Sequence, residues 1–170
     1  IKIYKVSSAH INFINKDQLE YFSCEHSWLE RQNIQFHWNN ENYENFDHFL
    51  SKLSSSKRKT IRRERKEILE SSIGLEVIRG ENIKNLHAEK FNKFYLSTID
   101  RKWGGAYLTR GFFDIVHATM AEQILLVMAW HDGDLIGGAL NFIGADTLYG
   151  RNWGASKHIQ NLHFEVCYYQ

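Results

Sequence analysis

The sequence has no proline and only two cysteines, Cys24 and Cys167, among its 170 residues. The absence of proline leaves few rigid turns. Two cysteines so far apart argue against a disulfide framework and are typical of a reducing compartment, so we interpret both as small core side chains. The longest apolar run covers only residues 124–130, whereas a membrane-spanning helix needs about 20 residues. We therefore expect a cytoplasmic protein without a transmembrane segment.

Common catalytic and metal-binding signatures are also missing. The nine histidines form neither i,i+4 pairs nor clusters with paired cysteines, which excludes the usual zinc-site spacings. No P-loop, G-x-S-x-G or G-x-G-x-x-G motif occurs, so the familiar signatures of nucleotide-binding folds and α/β-hydrolases are excluded. We expect no bound metal ion.

What the chain does contain is enough apolar surface for a packed core, since 43% of its residues are hydrophobic and 14% aromatic. That composition fits one full domain or two partial ones. The chain begins at Ile1 and ends at Gln170 inside an aromatic-rich segment. We interpret it as a fragment of a longer protein.

Positive charge is concentrated in residues 57–66 (KRKTIRRERK), which hold seven of the 21 Lys and Arg residues but only one acid, Glu64. The rest of the chain carries a net charge of −5. Ile61 and Ile68 share one face of a helix over residues 57–71, which predicts an amphipathic element of a folded domain. The opposite arc holds Arg58, Lys59, Arg62, Arg63, Arg65 and Lys66.

A cationic helix of this kind attracts several anionic partners equally well. Nucleic-acid phosphates, a nucleotide diphosphate and an anionic membrane surface all satisfy it, because the attraction is Coulombic. A solvated face that only maintains solubility is an equally good interpretation. The candidate anion-binding residues are Lys59, Arg62, Arg63 and Lys66.

The first part of the chain has two segments with alternating apolar residues. Residues 8–14 and 28–38 are predicted as strands on this pattern, and residues 17–22 as a short helix. Asn45 can cap a further helix that starts at Phe46.

The remaining segments predict a mixed α/β pattern. A turn at Gly74 leads to a strand over residues 75–78, then to a helix from residue 81 and another over residues 112–120. Asp132 and Gly133 predict a hairpin. The meander then comprises strands 124–130, 135–143 and 147–153, followed by a helix near Leu162.

The second candidate site lies in residues 148–170. Arg151 is flanked by Tyr149 and Trp153, whose rings can hold its guanidinium towards a carboxylate or phosphate. Gly154 and Ala155 permit close backbone approach. Tyr107 and Arg110, in the loop before the second helix, are further candidate substrate-binding residues.

Near the start of the last helix we single out three candidate catalytic residues, His163, Glu165 and Tyr168. Tyr168 follows Glu165 by three positions, so both lie on one helix face. Each also has a plain structural interpretation. The imidazole of His163 can form hydrogen bonds with backbone groups, and the carboxylate of Glu165 can interact favourably with the helix dipole.

Several segments together resemble the bacterial FemAB-like family, peptidoglycan biosynthesis or recognition proteins of the GNAT acyltransferase superfamily. The resemblance extends from about Ala9 to Gln170. It is carried by FHWNNENYENFDHFLSKLSSSKRKTIRRERK, RKWGGAYLTRGFF, GALNFIGADTLYGRNWG and LHFEVCYYQ. Proteins of this kind are similar to the Fem aminoacyl transferases, which carry two GNAT-like domains in tandem and transfer an amino acid from aminoacyl-tRNA to a peptidoglycan precursor.

The resemblance implies an α/β (α+β) fold with a mixed, largely antiparallel sheet flanked by helices. In the Fem relatives a basic helix, a glycine and a strand close the first GNAT-like domain, and residues 59–63 and 74–77 resemble that element. Residues 1–80 would then be the later part of the first domain. Residues 81–170 would be the opening of the second, with two helices, the meander and the start of the central helix.

The resemblance also bears on the acyl donor. GNAT enzymes that use acetyl-CoA place an Arg/Gln-x-x-Gly-x-Gly/Ala turn after a strand, and its amides hold the pyrophosphate. Residues 151–156 (RNWGAS) match this pattern until Ser156. The implied donor is therefore aminoacyl-tRNA in preference to acyl-CoA.

We expect a transferase that moves an aminoacyl or other acyl group to an amine, on a peptidoglycan precursor. Arg151 would hold an anionic group, Tyr149 and Tyr168 would donate hydrogen bonds, and Glu165 or His163 would relay the proton of the amine. The alternative is a noncatalytic module that recognises a cell-wall precursor, RNA or a membrane surface through the basic helix. A third possibility is a fragment that only supports the complete protein. Peripheral membrane contact is compatible with all three, and we expect no DNA partner.

Overall fold

The structure is a computed structural model that describes residues 7–24, 28–101 and 105–170. It has helices and one four-stranded antiparallel sheet, so the predicted α+β class is confirmed. The chain divides into two compact units, Ile1–Tyr43 and Glu44–Gln170. Among the described residues, every helix is too short or too polar to cross a bilayer.

The first unit contains one helix, and the prediction of two strands in this unit is wrong. Helix α1 (Lys16–Ser23) is closed by a reciprocal cap between Asn15 and Gln18. Residues 8–14 and 28–38 form no strand, and Phe36 is 95% exposed. Alternation alone does not make a strand, because a strand needs a hydrogen-bonded neighbour. Cys24, which we expected in the core, is exposed.

The second unit opens with two capped helices and a strand. Asn45 accepts a hydrogen bond from the backbone N–H of His48 and caps α2 (Phe46–Lys52), as predicted. Ser54 caps the basic helix α3 (Ser55–Leu69). Strand β1 (Ile73–Arg79) follows.

The later elements also agree with the predicted order. They are α4 (Asn85–Arg101), α5 (Arg110–Met120), β2 (Ile124–His131), β3 (Asp134–Ile143), β4 (Leu148–Ala155), α6 (Leu162–Phe164) and a π-helical turn (Glu165–Tyr169). Asp132 and Gly133 join β2 to β3 with φ angles of 51° and 81°. Two consecutive positive φ angles are what a tight hairpin turn requires.

The strands follow the order β1-β2-β3-β4, and every neighbouring pair is antiparallel. Helices cover both faces of the sheet. A first core cluster joins the sheet to α4 and α5 through residues such as Phe91, Tyr95 and Phe113. A second core cluster joins the other face to α3, α6 and the π-helical turn through Ile68, Leu162 and Val166. Residues 124–130 of β2 are all apolar, and they point alternately into the two clusters.

Because β1 pairs with β2 along its whole length, the sheet continues across residue 80. Residue 80 is where we expect one GNAT-like domain to end and another to begin. That division of the chain stays a prediction.

Candidate functional site

Strand β4 is an edge strand, and α4 lies unusually close to its C-terminal half. A side chain at Gly154 would clash with the backbone carbonyl of Phe94, so only glycine permits this approach. Hydroxyl groups on α4 satisfy the β4 carbonyls there: Ser97 donates to Ala155 and Thr98 to Trp153. The predicted close backbone approach at Gly154 is therefore made by α4.

Arg151 occupies a bulge in β4. Leu140 pairs with Asn152 and Asn141 with Gly150, which leaves Arg151 as the extra residue. Bulges re-aim side chains and are over-represented beside functional sites. The Arg151 guanidinium donates to the Tyr107 hydroxyl at 3.1 Å, so the structure brings two predicted substrate-binding residues together.

The loop that carries Tyr107 is held by a buried tyrosine. The Tyr95 hydroxyl accepts hydrogen bonds from the backbone N–H groups of Tyr107 and Leu108, at 3.3 and 3.2 Å. Tyr95 is only 2% exposed and belongs to the first core cluster. Tyr95 lies in the helix that was predicted from residue 81, and this role was not predicted. A polar tip on an otherwise apolar helix stripe was the available signal.

Trp153, His163 and Tyr168 form a second group. The ring of His163 lies 5.3 Å from that of Trp153 and 5.5 Å from that of Tyr168, centroid to centroid. His163 and Tyr168 are exposed. Trp153 packs against the second core cluster.

The two groups reach β4 from opposite faces of the sheet. Tyr107 is anchored to the first core cluster, whereas Trp153 packs on the second. Residues 151 and 153 would share a face in a regular strand, but the bulge at Arg151 interrupts that alternation. What the groups have in common is the exposed edge of β4.

Glu165, the third candidate catalytic residue, is fully buried. Its carboxylate accepts two hydrogen bonds from Arg65 Nε at 3.2 Å, and Arg65 Nη2 lies 3.1 Å away. Gln170 donates to the same carboxylate at 2.6 Å. The Arg65 guanidinium also lies 4.4 Å from the centre of the Phe46 ring. A buried carboxylate requires such a partner.

Two further contacts join α3 to the last segment. The Tyr169 hydroxyl donates to Glu64 at 2.7 Å, and the Asn161 amide donates to Glu67 at 2.6 Å. Desolvation, reinforced by the hydrogen bond to Glu64, raises the pKa of Tyr169 well above its ordinary value. The inner face of α3 therefore holds the segment that carries His163 and Tyr168.

The basic residues of α3 do not all face solvent, which corrects the predicted arc. Arg65 turns inward to Glu165, and Arg58 donates to the carbonyls of Leu50, Ser51 and Leu53 around the end of α2. An inward-facing arginine can satisfy the unpaired carbonyls at a helix C-terminus.

The four predicted anion-binding residues remain on the outside, and we call them the outer stripe. Their i, i+3, i+4, i+7 spacing places them on one helix face. Three of them form ion pairs with exposed acids: Arg62 with Asp47, Arg63 with Glu67 and Lys66 with Glu70. The stripe is completed by Lys59.

The other two candidates, Tyr149 and Arg110, make contacts of their own. Tyr149 packs its ring over Gly144 at the turn between β3 and β4. Arg110 opens α5 and donates to Asp114, one helical turn later, at 3.3 Å.

The turn after β4 bears on the acyl donor. The backbone N–H of Ser156 donates to the Ile136 carbonyl at 2.8 Å, and the Ser156 hydroxyl donates to the same oxygen at 3.2 Å. The backbone amide of Ser156 therefore already has a hydrogen-bond partner within the protein.

Two further observations concern possible metal ligands and the thiol of Cys167. No group of three or more His, Cys, Asp or Glu side chains there could hold a metal ion. Burial raises the pKa of the half-buried Cys167 thiol to about 12, which disfavours the reactive thiolate.

Residues 1–170, the whole chain, match the family model for FemAB-like proteins, described as peptidoglycan biosynthesis/recognition. The chain therefore belongs to the FemAB-like family, as its sequence motifs predicted. No curated protein matches it. The family supports a role in peptidoglycan biosynthesis or recognition.

Proposed function

We propose that this FemAB-like chain is part of an acyltransferase that moves an aminoacyl or other acyl group to an amine of a peptidoglycan precursor. The observation that carries the proposal is the bulge of β4. There Arg151 is re-aimed onto Tyr107, and that hydroxyl belongs to a loop fixed by buried Tyr95. An exposed guanidinium on so rigid a support can bind an anion with little loss of conformational freedom.

In this proposal Arg151 holds a phosphate or carboxylate of one substrate, and Tyr107 orients the guanidinium. Tyr149 and Arg110 would extend the anion contact along the strand edge and the adjacent helix. Positioning two substrates side by side accounts for much of the rate of such a transfer, and hydrogen-bond donors at the developing oxyanion supply more.

In this proposal the proton of the attacking amine is removed by the group around Trp153, through His163 and Tyr168. His163 and Tyr168 are exposed and adjacent, so a substrate can reach them. The buried carboxylate of Glu165 contacts Arg65 and Gln170, and its direct part in proton relay stays a prediction. A cytoplasmic location and a cell-wall precursor as acceptor belong to the same proposal.

For the donor we propose aminoacyl-tRNA. The Ser156 amide, at the last position of the turn that holds pyrophosphate in acetyl-CoA enzymes, is engaged by Ile136. The outer stripe of α3 offers phosphate contacts that a tRNA backbone would use.

The direct test supplies the full chain with labelled aminoacyl-tRNA or labelled acetyl-CoA, together with a peptidoglycan precursor. We expect transfer from the aminoacyl-tRNA. Arg151→Ala should lower the rate by at least about tenfold, because a charge-assisted contact is lost. Arg79→Ala, an exposed arginine on the opposite edge strand, is the matched control. If neither aminoacyl-tRNA nor acetyl-CoA supports transfer, the proposal is overturned.

The second candidate function is recognition without catalysis, and the exposed outer stripe favours it. Charge reversal of Arg62, Arg63 and Lys66 to Glu should then abolish binding of RNA or precursor. Arg151→Ala and His163→Ala would leave the biological activity intact. For RNA the affinity must fall steeply with salt, and a flat salt response excludes it.

A further inference from the structure

Two histidines from different helices contact one peptide group, which joins Ile83 to Lys84 just before α4. His117, in the last turn of α5, has its Nε2 atom 2.6 Å from the carbonyl oxygen of Ile83. On the other side of the same peptide group, the backbone N–H of Lys84 donates to His87 Nδ1 at 3.0 Å. Both polar atoms of the peptide group are therefore bound by imidazoles. We call His87 and His117 the histidine clamp.

The partners of the histidine clamp determine which imidazole nitrogens carry a proton. A carbonyl oxygen only accepts, so His117 Nε2 must be protonated, and this contact persists whether the imidazole is neutral or charged. A backbone N–H only donates, so His87 Nδ1 must be unprotonated and His87 must be neutral. The two histidines therefore differ, because only the contact of His87 is broken by a proton.

The hydrogen bond to His87 closes the N-terminus of α4. The carbonyl of Lys84 accepts from the backbone N–H groups of His87 and Ala88, so Lys84 is the N-cap residue and His87 is the third residue of the helix. A side chain that accepts from the N-cap N–H at this position forms one half of a capping box, a role usually taken by Glu or Gln. Unlike a glutamine, a histidine loses its acceptor when it takes up a proton.

The surroundings of His87 keep its imidazole neutral. His87 is only 6% exposed, and desolvation by burial is the main cause that lowers its pKa below the ordinary value. Lys84 and His117 lower the pKa further, because a positive charge beside them is unfavourable. Glu76 on β1, which accepts a hydrogen bond from Trp130 at 3.0 Å, acts in the opposite direction. These charged groups face His87 from β1, from the residue before α4 and from α5.

We propose that the histidine clamp is an acid-sensitive link between the N-terminus of α4 and the C-terminus of α5. At neutral pH both imidazoles contact the peptide group. In acid, a proton from solvent binds His87 Nδ1 and occupies the lone pair that accepted from Lys84, so that two N–H groups point at each other. The same proton places a positive charge in a nearly buried position. The first turn of α4 consequently opens.

The sign of the pH dependence follows from the lowered pKa of His87. The stability that this residue contributes is complete above the ordinary histidine pKa and declines as the pH falls below it, because the unfolded chain binds the proton more readily. Helix α4 also supports the candidate site, since Tyr95 holds the loop of Tyr107, and Ser97 and Thr98 donate to β4. The clamp therefore makes the attachment of that helix sensitive to acid, whether or not the proposed acyl transfer occurs.

The test is an NMR titration of the full chain from about pH 7.5 to about pH 4.5. We expect His87 to titrate below the ordinary histidine pKa, and the amide of Lys84 to shift with the same midpoint. That amide should also lose at least about tenfold of its protection from hydrogen exchange, after correction for the intrinsic rate. His117→Gln should raise the midpoint of His87 and Glu76→Gln should lower it, because they remove a positive and a negative neighbour.

Two further variants separate the clamp from a general effect of acid. In His87→Gln the new side chain can accept from Lys84 but does not titrate, so the protection of the Lys84 amide should persist in acid. His158→Gln replaces an exposed histidine outside the clamp and should leave the pH dependence unchanged. If a variant folds poorly, the titration of the unaltered chain still decides the proposal.

Three results would overturn the proposal. They are a midpoint of His87 at or above the ordinary histidine pKa, a Lys84 amide that neither shifts nor loses protection, or the same loss of protection in His87→Gln as in the unaltered chain. None of these measurements involves acyl transfer, so failure here remains distinguishable from failure of the transfer assay.

Discussion

On the outer face of α3, the side chains of Arg62 and Lys66 are 58% and 70% exposed and pair with exposed acids. On the inner face, the Arg65 side chain is 25% exposed and pairs with Glu165, which is fully buried. The same chemistry has different consequences in the two places, because water and salt screen the outer pairs and not the inner one. The outer charges are free to serve a partner, while the inner charge serves the fold.

The largest effect is expected at the inner pair. Arg65→Ala leaves the Glu165 carboxylate buried without its cation, and we expect a loss of about 3–5 kcal/mol in the free energy of unfolding, measured with urea. The double variant Arg65→Met/Glu165→Leu should recover much of this loss. If Arg65→Ala costs no more than Arg62→Ala, the distinction between the two faces is wrong.

Arg58 should have the next largest effect. Arg58→Ala removes the hydrogen bonds to three carbonyls around the end of α2, and we expect a loss of about 1–2 kcal/mol. Urea unfolding measures it, with Lys59→Ala as the neighbouring control on the outer face. Equal effects of the two substitutions would contradict the inward orientation of Arg58.

Tyr169 tests the inner face through pH. Because burial and Glu64 raise the pKa of Tyr169 in the folded state, the stability it contributes is complete below the ordinary tyrosine pKa and declines as the pH rises above it. Tyr169→Phe should cost about 1 kcal/mol at neutral pH, because a hydrogen bond is lost.

Unfolding curves at pH 8 and at increasing alkaline pH separate this contribution from those of the other tyrosines. The difference in stability between the unaltered chain and Tyr169→Phe should shrink as the pH rises. A constant difference would mean that the Tyr169 hydroxyl does not titrate with unfolding.

The smallest effect on stability is expected on the outer face. Arg62→Ala and Lys66→Ala should each change the free energy of unfolding by less than about 0.5 kcal/mol, since exposed ion pairs contribute little. Their effect should instead appear in RNA or precursor binding at low salt. A stability loss above about 1 kcal/mol for either variant would place it with the inner residues.

Much of the second unit could be predicted because its signals are local. Asn45 was predicted to cap a helix, Asp132 and Gly133 to form a hairpin, and residues 124–130 to form a strand. The same local reasoning failed at residues 28–38, where alternation is present but no strand forms. A strand depends on a partner that the segment itself does not encode.

The candidate site was predictable in its residue types and not in its grouping. The sequence predicted these site residues as polar and aromatic side chains near strand and helix ends: Arg151, Tyr107, His163 and Tyr168. That Arg151 meets Tyr107, and His163 meets Trp153 on the other face, depends on a bulge and on the register of β4. Register is a long-range property.

The sequence by itself determined the order of the elements from α2 to α6, the amphipathic character of α3 and the family. These follow from periodicity, caps and motifs that lie within a few residues of one another. Only the tertiary structure decided which arginines of α3 face inward, that Glu165 is buried against Arg65, and that His117 of α5 contacts the peptide group before α4. Those facts depend on the packing of residues that lie as many as 100 positions apart in the chain. No local pattern specifies which distant side chain will supply the partner for a buried charge.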